Sequence, residues 1–389
     1  MMTFCFKFYK TKRNKKLHKQ IDMAGLIRNH CIALHRRYYK LFGKYLQKTV
    51  LQKHLTKLKR IEKFSYLKKI GSQAVQDVTD RIDRAYRFYF SNLQRKVKCS
   101  PPHFKKIKKY NSFTLKQAGW KIEQWRNTII INNQSYRYFK SREIVGKIKT
   151  ITVKRDSVGD IFIFVVTDYK EDEVITRTGK SVGYDFGFHE NILIASDGKN
   201  ILAPSFLRSN MHLLKRAAKV LSKKGKDSKN RERARVELAR VYRKANNQRK
   251  DFHWKLEQSL CSEYALICME DLSLKGLQRG HGKKMQDYGF GIFLRILEHV
   301  AKCTGTKLIK VDKFYPSSQL CSQCGYRNTE MKNLSIRQWC CPNCGTEHDR
   351  DRNAAINILN EGTRIFKDQT GRDNVLRSRP CNTSLSLEA

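Results

Sequence analysis

Long apolar runs are missing from this chain. Of its 389 residues, no stretch approaches the ~20 apolar residues that cross a bilayer. The longest candidate, Ile161 to Thr167 (IFIFVVT), is the size of a strand, so no membrane partner is expected. The basic start, MMTFCFKFYKTKRNKK, has neither an apolar h-region nor a cleavage site. It does not read as a secretory signal, and a cytoplasmic location is expected, nucleoid-associated if the host is a prokaryote. A disulfide framework is missing too, because four of the 12 cysteines lie in one cluster and the others are scattered. Acidic charge is scarce: 35 Asp plus Glu face 80 Lys plus Arg, a net charge of +45. Such a chain repels itself unless a polyanion neutralises it. The basic residues are dispersed and no long amphipathic basic helix dominates, which favours nucleic acid over a membrane surface. Affinity built from so many phosphate contacts should fall steeply with salt.

What is present is organised. The length suffices for two or three cores. Thr3 to Tyr9 alternates Phe4, Phe6 and Phe8 against Cys5, Lys7 and Tyr9, a strand pattern. From about Leu17 to Leu93 the period is helical, with Leu26, Ile27, Tyr38, Tyr39, Leu41 and Tyr45 apolar in the first part. Val75, Val78, Ile82, Ala85, Tyr86 and Tyr89 form a stripe in the second, where core packing is the first reading of the aromatics. Pro101 and Pro102 end this region. Beyond them, Ser112–Leu115, Thr128–Ile131, Gly146–Val153 and Asp160–Asp168 read as strands of a small antiparallel sheet or barrel. Basic residues alternate with aromatics in HFKKIKKYNSF and QSYRYFKSREI, which suits phosphate contact plus base stacking, or equally a solvated sheet face.

EDEVITRTGK reads as a polar linker, after which Val182–Asp185, Asn191–Ser196, Glu263–Glu270 and Thr306–Val311 read as strands. The charged stretch Met211–Cys261, broken at KGKDS, is expected to be a helical hairpin inserted between strands. Ile292–Cys303 and Asp351–Leu359 read as helices, and the polar tail beyond Glu361 as disordered.

Two local motifs carry chemistry. Cys321-Ser-Gln-Cys324-Gly and Cys341-Pro-Asn-Cys344-Gly are C-x2-C-G knuckles separated by 16 residues, the spacing of a four-thiolate zinc ribbon. Four ligands leave no open position, so such a zinc would be structural. The adjacent Cys340 competes with Cys341, and Cys341 is preferred because it repeats the knuckle spacing. The second motif is a set of acids at the ends of apolar runs or the start of a helix: Asp185 in SVGYDFGFHENIL, Glu270 in YALICMEDLSL and Asp351 in EHDRDRNAAINIL. Carboxylates at strand ends can converge, and their hard oxygens suit Mg²⁺ or Mn²⁺ for phosphodiester cleavage.

These stretches, together with KFYPSSQLCSQCG, AVQDVTDRIDRAYRFYF and FKKIKKYNSFTL, resemble the transposon-encoded TnpB proteins, relatives of type V CRISPR effectors. The resemblance covers nearly the whole chain and is most specific over residues 181–360. It implies a multidomain α+β protein: a wedge-type β-barrel (1–12 and 101–172), an inserted helical recognition region (13–100), and an RNase H-like RuvC domain (181–312 and 346–362) with a helical insertion at 211–260. A zinc ribbon (313–345) is embedded in that domain, and a flexible tail (363–389) follows. It implies an RNA-guided DNA endonuclease that binds a structured RNA from the transposon end, recognises a short flanking motif in double-stranded target DNA, and cleaves with two Mg²⁺ ions, or Mn²⁺, plus a structural Zn²⁺. Asp185, Glu270 and Asp351 match the three RuvC carboxylates. Asp351 is preferred to Asp349 because it precedes the Asn353-Ala354-Ala355 that opens the helix. Asp271 reads as a helix or turn cap, and His189 and Glu190 depart mildly from the family pattern. The alternatives are a nuclease-inactive RNA-guided DNA-binding regulator, and an RNase H-like transposase or resolvase.

Overall fold

Phe4, Phe6 and Phe8 are each no more than 2% exposed, so the first strand, β1 (Met2–Lys7), buries one face as its alternation dictates. The computed structural model describes residues 1–170, 179–187, 190–272, 282, 284–333 and 335–371. The chain divides into two compact units, Met1–Glu171 and Asp172–Ala389.

In the first unit β1 is followed by α1 (Asn14–Phe42), α2 (Lys48–Leu58), a 3-10 turn (Glu62–Ile70) and α3 (Ser72–Gln94). Strands β2 (Ser112–Leu115), β3 (Trp120–Glu123), β4 (Thr128–Ile131), β5 (Gln134–Arg137), β6 (Ile148–Arg155) and β7 (Ile161–Thr167) come next. β1 pairs antiparallel with β7, Phe4 opposite Val165 and Phe6 opposite Ile163. The helices are therefore inserted between two strands of one sheet, whose order is β1-β7-β6-β2. A second sheet, β3-β4-β5, contains two strands that the sequence reading omits. Its β4–β5 turn is Asn132-Asn133, both at positive φ (46° and 62°), a conformation asparagine tolerates and two-residue hairpins require.

The apolar stripe of α3 buries Val75, Val78, Ile82 and Tyr86, whereas Ala85 faces outward. On α1, Ile27 is buried but Leu26, Tyr39 and Leu41 are exposed, so apolar identity alone misassigns the inward face. Tyr136 and Tyr138 correct the reading of QSYRYF as a nucleic-acid contact. Both are core residues, 3% and 1% exposed, because the period-2 alternation of the segment turns them inward and Arg137 and Phe139 outward.

The second unit starts with β8 (Lys180–Phe186), β9 (Asn191–Ala195) and β10 (Ile201–Leu202). The short α4 (Phe206–Ser209) leads to a helical pair, α5 (Met211–Ser222) and α6 (Lys229–Glu263), broken at Lys223–Ser228. Then come β11 (Tyr264–Glu270), α7 (Phe290–Thr304), β12 (Lys307–Val311), the small hairpin β13 (Gln338–Cys340) and β14 (Glu347–Asp349), and α8 (Arg350–Thr370). The sheet order is β10-β9-β8-β11-β12, with β8, β11 and β12 parallel, β9 antiparallel to β8, and β10 antiparallel to β9. Residues Tyr264 to Met269 of β11 are all buried, as expected of a central strand covered on both faces. Ile267 and Met269 pack with Phe293 and Leu297 of α7, and Leu266 and Cys268 pack with Ile358 and Phe366 of α8.

Helix α8 corrects the expectation of a tail beyond residue 361. It runs to Thr370 with Phe366 buried against the sheet, and Gly371 at φ 62° terminates it. Residues 372–389 lie outside the described residues, as do most of the expected linker, 171–178, and His189.

Candidate active site and metal centre

The parity of two strands determines which side chains face α8. On β8, Val182, Tyr184 and Phe186 belong to the core under α7, so Gly183 and Asp185 point to the opposite face. On β11, Leu266 and Cys268 lie under α8, and Glu270 continues that alternation. Met269 pairs with Tyr184 in the parallel ladder, so the next residues, Glu270 and Asp185, leave it side by side on the α8 face. Asp351 lies in the first turn of α8.

Two glycines let the helix come down onto this face. A Cβ at Gly183 would overlap the carbonyl oxygen of Ala355 and lie 2.7 Å from the Leu359 nitrogen. A Cβ at Gly362 would lie 2.6 Å from Cys268 Cβ. One glycine comes from the strand and one from the helix, and both contacts are closer than any side chain allows.

Asp185 sits in a buried, acidic setting. Its pKa is pushed up to about 7, first by burial, then by the negative charges of Glu270 and Asp351, against opposing help from the Phe186 amide and Arg350. That amide donates to Asp185 Oδ1 at 2.9 Å. Burial also raises the pKa of Glu270, assisted by Asp271 and Asp312. Asp351 is engaged by Arg337, whose Nη1 lies 3.1 Å from Oδ1 and 3.2 Å from Oδ2. The three carboxylates face one region, but they do not form a group as tight as the cysteines described next.

Among the described residues, Cys321, Cys324, Cys341 and Cys344 are the one group of three or more potential ligands whose donor atoms all lie within 4.8 Å of one another. The two knuckles are near copies. In the first, Gly325 donates to the Cys321 carbonyl and the Cys321 amide donates to Tyr326 O, each at 2.9 Å. In the second, Gly345 donates to Cys341 O and the Cys341 amide to Thr346 O, again at 2.9 Å. Both glycines sit at positive φ, 74° and 69°. The Cys324 thiol is lowered to about 6, chiefly by a hydrogen bond from the Asn343 side chain and then by the Tyr326 amide. Thr346 likewise lowers Cys344, whereas burial pushes Cys321 up to about 12. Four converging sulfurs, two of them biased toward thiolate, could hold one metal ion such as zinc. Cys340 points away and its sulfur contacts Gly345 O at 3.3 Å.

Several supporting residues escape sequence reading. His348 Nε2 lies 3.0 Å from Cys321 Sγ, and its ring lies 4.8 Å from that of Trp339 across the β13–β14 hairpin. Buried Asn353 accepts from the Ser322 amide at 2.9 Å and donates to Leu320 O at 2.6 Å. Asn357 donates to Ser317 O and Leu320 O. Arg350 donates to Asn333 O at 2.7 Å. Helix α8 thus carries Asp351 and grips the ribbon with the same turns. The signal was the asparagine pair at i and i+4, a polar interruption of the helix's inner face.

Asp349, the competitor of Asp351, is the N-cap of α8, its carboxylate accepting from the Arg352 amide at 2.8 Å. Asp271 is exposed beyond β11, with its amide bonded to Val311 O at 2.8 Å. Glu190 is exposed ahead of β9. Of the outward aromatics between 103 and 142, Phe104, Trp125 and Phe139 are 49%, 75% and 48% exposed.

Known proteins resemble this chain. Residues 164–280, which contain Asp185 and Glu270, match the family model OrfB_IS605, described as "Probable transposase". Residues 290–358, which contain the ribbon and Asp351, match the Cas12f1-like TNB domain. A Streptomyces pristinaespiralis protein named "Putative RNA-guided DNA endonuclease" is 28% identical over 92% of this chain and 89% of its own length. An Escherichia coli K12 protein, "Putative RNA-guided DNA endonuclease InsQ", is 25% identical over 93% and 92%. The mimivirus "TnpB-like protein L770" is 24% identical over 64% of this chain and 52% of its own length. The chain is a relative of the TnpB-like proteins. Its fold matches the protein of a solved Cas12f1-sgRNA-target DNA complex with a TM-score of 0.53, at 14% identity over 90% of this chain and 83% of that one. Among the described residues no helix is long and apolar enough to cross a membrane.

Proposed function

We propose that this TnpB relative is an RNA-guided, metal-dependent DNA endonuclease. The observation that carries the reading is the placement of Asp185 and Glu270 on one face of the central sheet, under the helix whose first turn holds Asp351. It is supported by the names of relatives that match nine-tenths of the chain and by the net charge of +45. On this reading residues 181–312 and 346–362 form an RNase H-like RuvC domain, with a zinc ribbon at 313–345. The two sheets of the first unit form a wedge-type barrel that carries the helical recognition region. The partners are a structured guide RNA and double-stranded target DNA, read through base pairing and a short flanking motif.

The residues fit divalent cations. Three carboxylates supply hard oxygen donors, and the pKa of Asp185 is raised first by burial and then by the negative charges of Glu270 and Asp351. Asp185, Glu270 and Asp351 would hold Mg²⁺ or Mn²⁺, which would activate water and stabilise the leaving oxygen. The chain's own share is orientation. The ladder fixes Asp185 beside Glu270, Gly183 and Gly362 set the height of α8, and Arg337 fixes Asp351. Cys321, Cys324, Cys341 and Cys344 would hold a structural Zn²⁺ that keeps Arg337 in reach of Asp351.

The match of residues 164–280 to a model described as a transposase favours a second reading, strand transfer without a guide. Expressing the chain with the DNA flanking its gene, and sequencing the RNA that copurifies, separates the two. A discrete RNA whose end copies sequence outside the gene supports the guided reading. Absence of any discrete RNA, with DNA cutting by the bare protein, supports the second.

A further inference from the structure

We infer that the first unit contains a built binding site for a nucleic-acid phosphate, formed by Lys68, Lys69 and Lys121. The inference rests on the reading of the chain as a nucleic-acid-binding protein and adds where, and through which groups, a backbone is held.

A cavity of about 690 Å³ opens between the 3-10 turn that precedes α3 and the β3–β5 sheet. Three lysines line it and no acidic residue does. Among the described residues Lys68 and Lys69 take part in no ion pair, and the exposed Lys121 has only Glu123 at the long distance of 3.7 Å, a pair of little energetic weight. A concavity lined by lysines and by no acid is electropositive, which suits an anion. Trp120, the neighbour of Lys121 on β3, points the other way: it pairs with Ile131 and packs against the core, its indole nitrogen donating to Lys116 O at 3.3 Å. Lysines around a concavity free of acids are the combination that holds a backbone phosphate. Asn132 and Asn133 add side-chain amides at the rim.

The cavity is also held rigid. Asn132 Nδ2 donates to Ile70 O at 3.3 Å and its amide donates to Gly119 O at 3.1 Å, so one residue joins three loops. Gln20 of α1 donates to Lys69 O at 3.0 Å, which fixes the lysine pair from behind. Gly71, at φ 82°, leaves room for Asn132, since a Cβ there would lie 2.9 Å from its Oδ1. Binding therefore orders little beyond three lysine side chains, a small entropic cost.

The test uses the full chain with two probes, a uridine-rich oligoribonucleotide and a short DNA duplex. The variant Lys68→Gln/Lys69→Gln/Lys121→Gln is compared with Lys223→Gln/Lys224→Gln/Lys226→Gln, which removes the same charge at the α5–α6 turn. All the substituted side chains are exposed, and circular dichroism verifies folding. The site predicts that the first variant loses about tenfold affinity and flattens the salt dependence by about three in slope for at least one probe. The second variant is expected to lose distinctly less. Loss on RNA alone assigns the site to the guide, and loss on DNA alone to the target. Equal losses in the two variants, or none in the first, overturn the inference. Because binding is read without cleavage, failure here leaves the nuclease reading standing, and an inactive nuclease leaves this result interpretable.

Discussion

Arg337 of the ribbon and Asp351 of α8 form an ion pair, one guanidinium nitrogen lying 3.1 and 3.2 Å from the two carboxylate oxygens. The pair couples the cysteine cluster to the acidic site, because Arg337 immediately precedes the hairpin that returns through Cys340 and Cys341. Arg337→Ala should reduce DNA cleavage by about tenfold or more by freeing Asp351, while zinc content stays unchanged. Normal cleavage by this variant would show that the contact is incidental.

Substitution of any one acid should be far more severe. Asp185→Ala, Glu270→Gln and Asp351→Asn are each expected to lower cleavage by about a thousandfold while leaving RNA-dependent DNA binding within about twofold, since they lose ligands rather than the fold. Asp349→Asn should retain activity, because an asparagine also caps a helix. An active Asp351→Asn protein would reassign the third position.

Zinc analysis tests the ribbon. Purified protein should carry about one zinc per chain, lost in Cys341→Ser and kept in Cys340→Ser. Zinc retained by Cys341→Ser would make Cys340 the ligand.

The height of α8 is tested at Gly183. Gly183→Ala places a methyl group into the helix backbone at Ala355 and Leu359. It should cost on the order of 2–3 kcal/mol in stability and reduce cleavage, by shifting the first turn of α8 away from β8. Unchanged thermal unfolding would contradict the close approach.

A pH prediction comes from Glu257, which is fully buried on α6 and whose carboxyl oxygens have no hydrogen-bond partner among the described residues. Burial raises its pKa from 4.5 to about 9. The folded chain keeps this proton where the unfolded chain has lost it, so its contribution is complete below pH 4.5 and declines as pH rises toward 9. Glu257→Gln should match the parent near pH 5 and exceed it near pH 8 by on the order of 1–3 kcal/mol in urea unfolding. Parallel pH profiles for the two proteins would refute this.

Much of the site could be read in the sequence because the relevant signals are local. Asp185 and Glu270 each end an apolar strand, and the knuckle spacing singled out Cys321, Cys324, Cys341 and Cys344. What stayed hidden depends on distant partners. The contacts of Gly183 with Ala355, Arg337 with Asp351, and His348 with Cys321 join residues whose neighbours in the sequence give no hint of them. The same limit explains Tyr136 and Tyr138, where the alternation of basic and aromatic residues did not reveal a strand or which face the core would take. It also explains the end of α8, whose polar composition past Glu361 conceals that Phe366 reaches the sheet.

Guided cleavage is the most direct test of the central claim. The protein, reconstituted with the RNA transcribed across the end of its gene, is given Mg²⁺ and plasmids that carry or lack a guide match next to a randomised flanking sequence. The account predicts cutting only where the match and one short flanking motif occur together, with the greatest loss for mismatches beside that motif. Efficient, sequence-selective cutting by the RNA-free protein would contradict it.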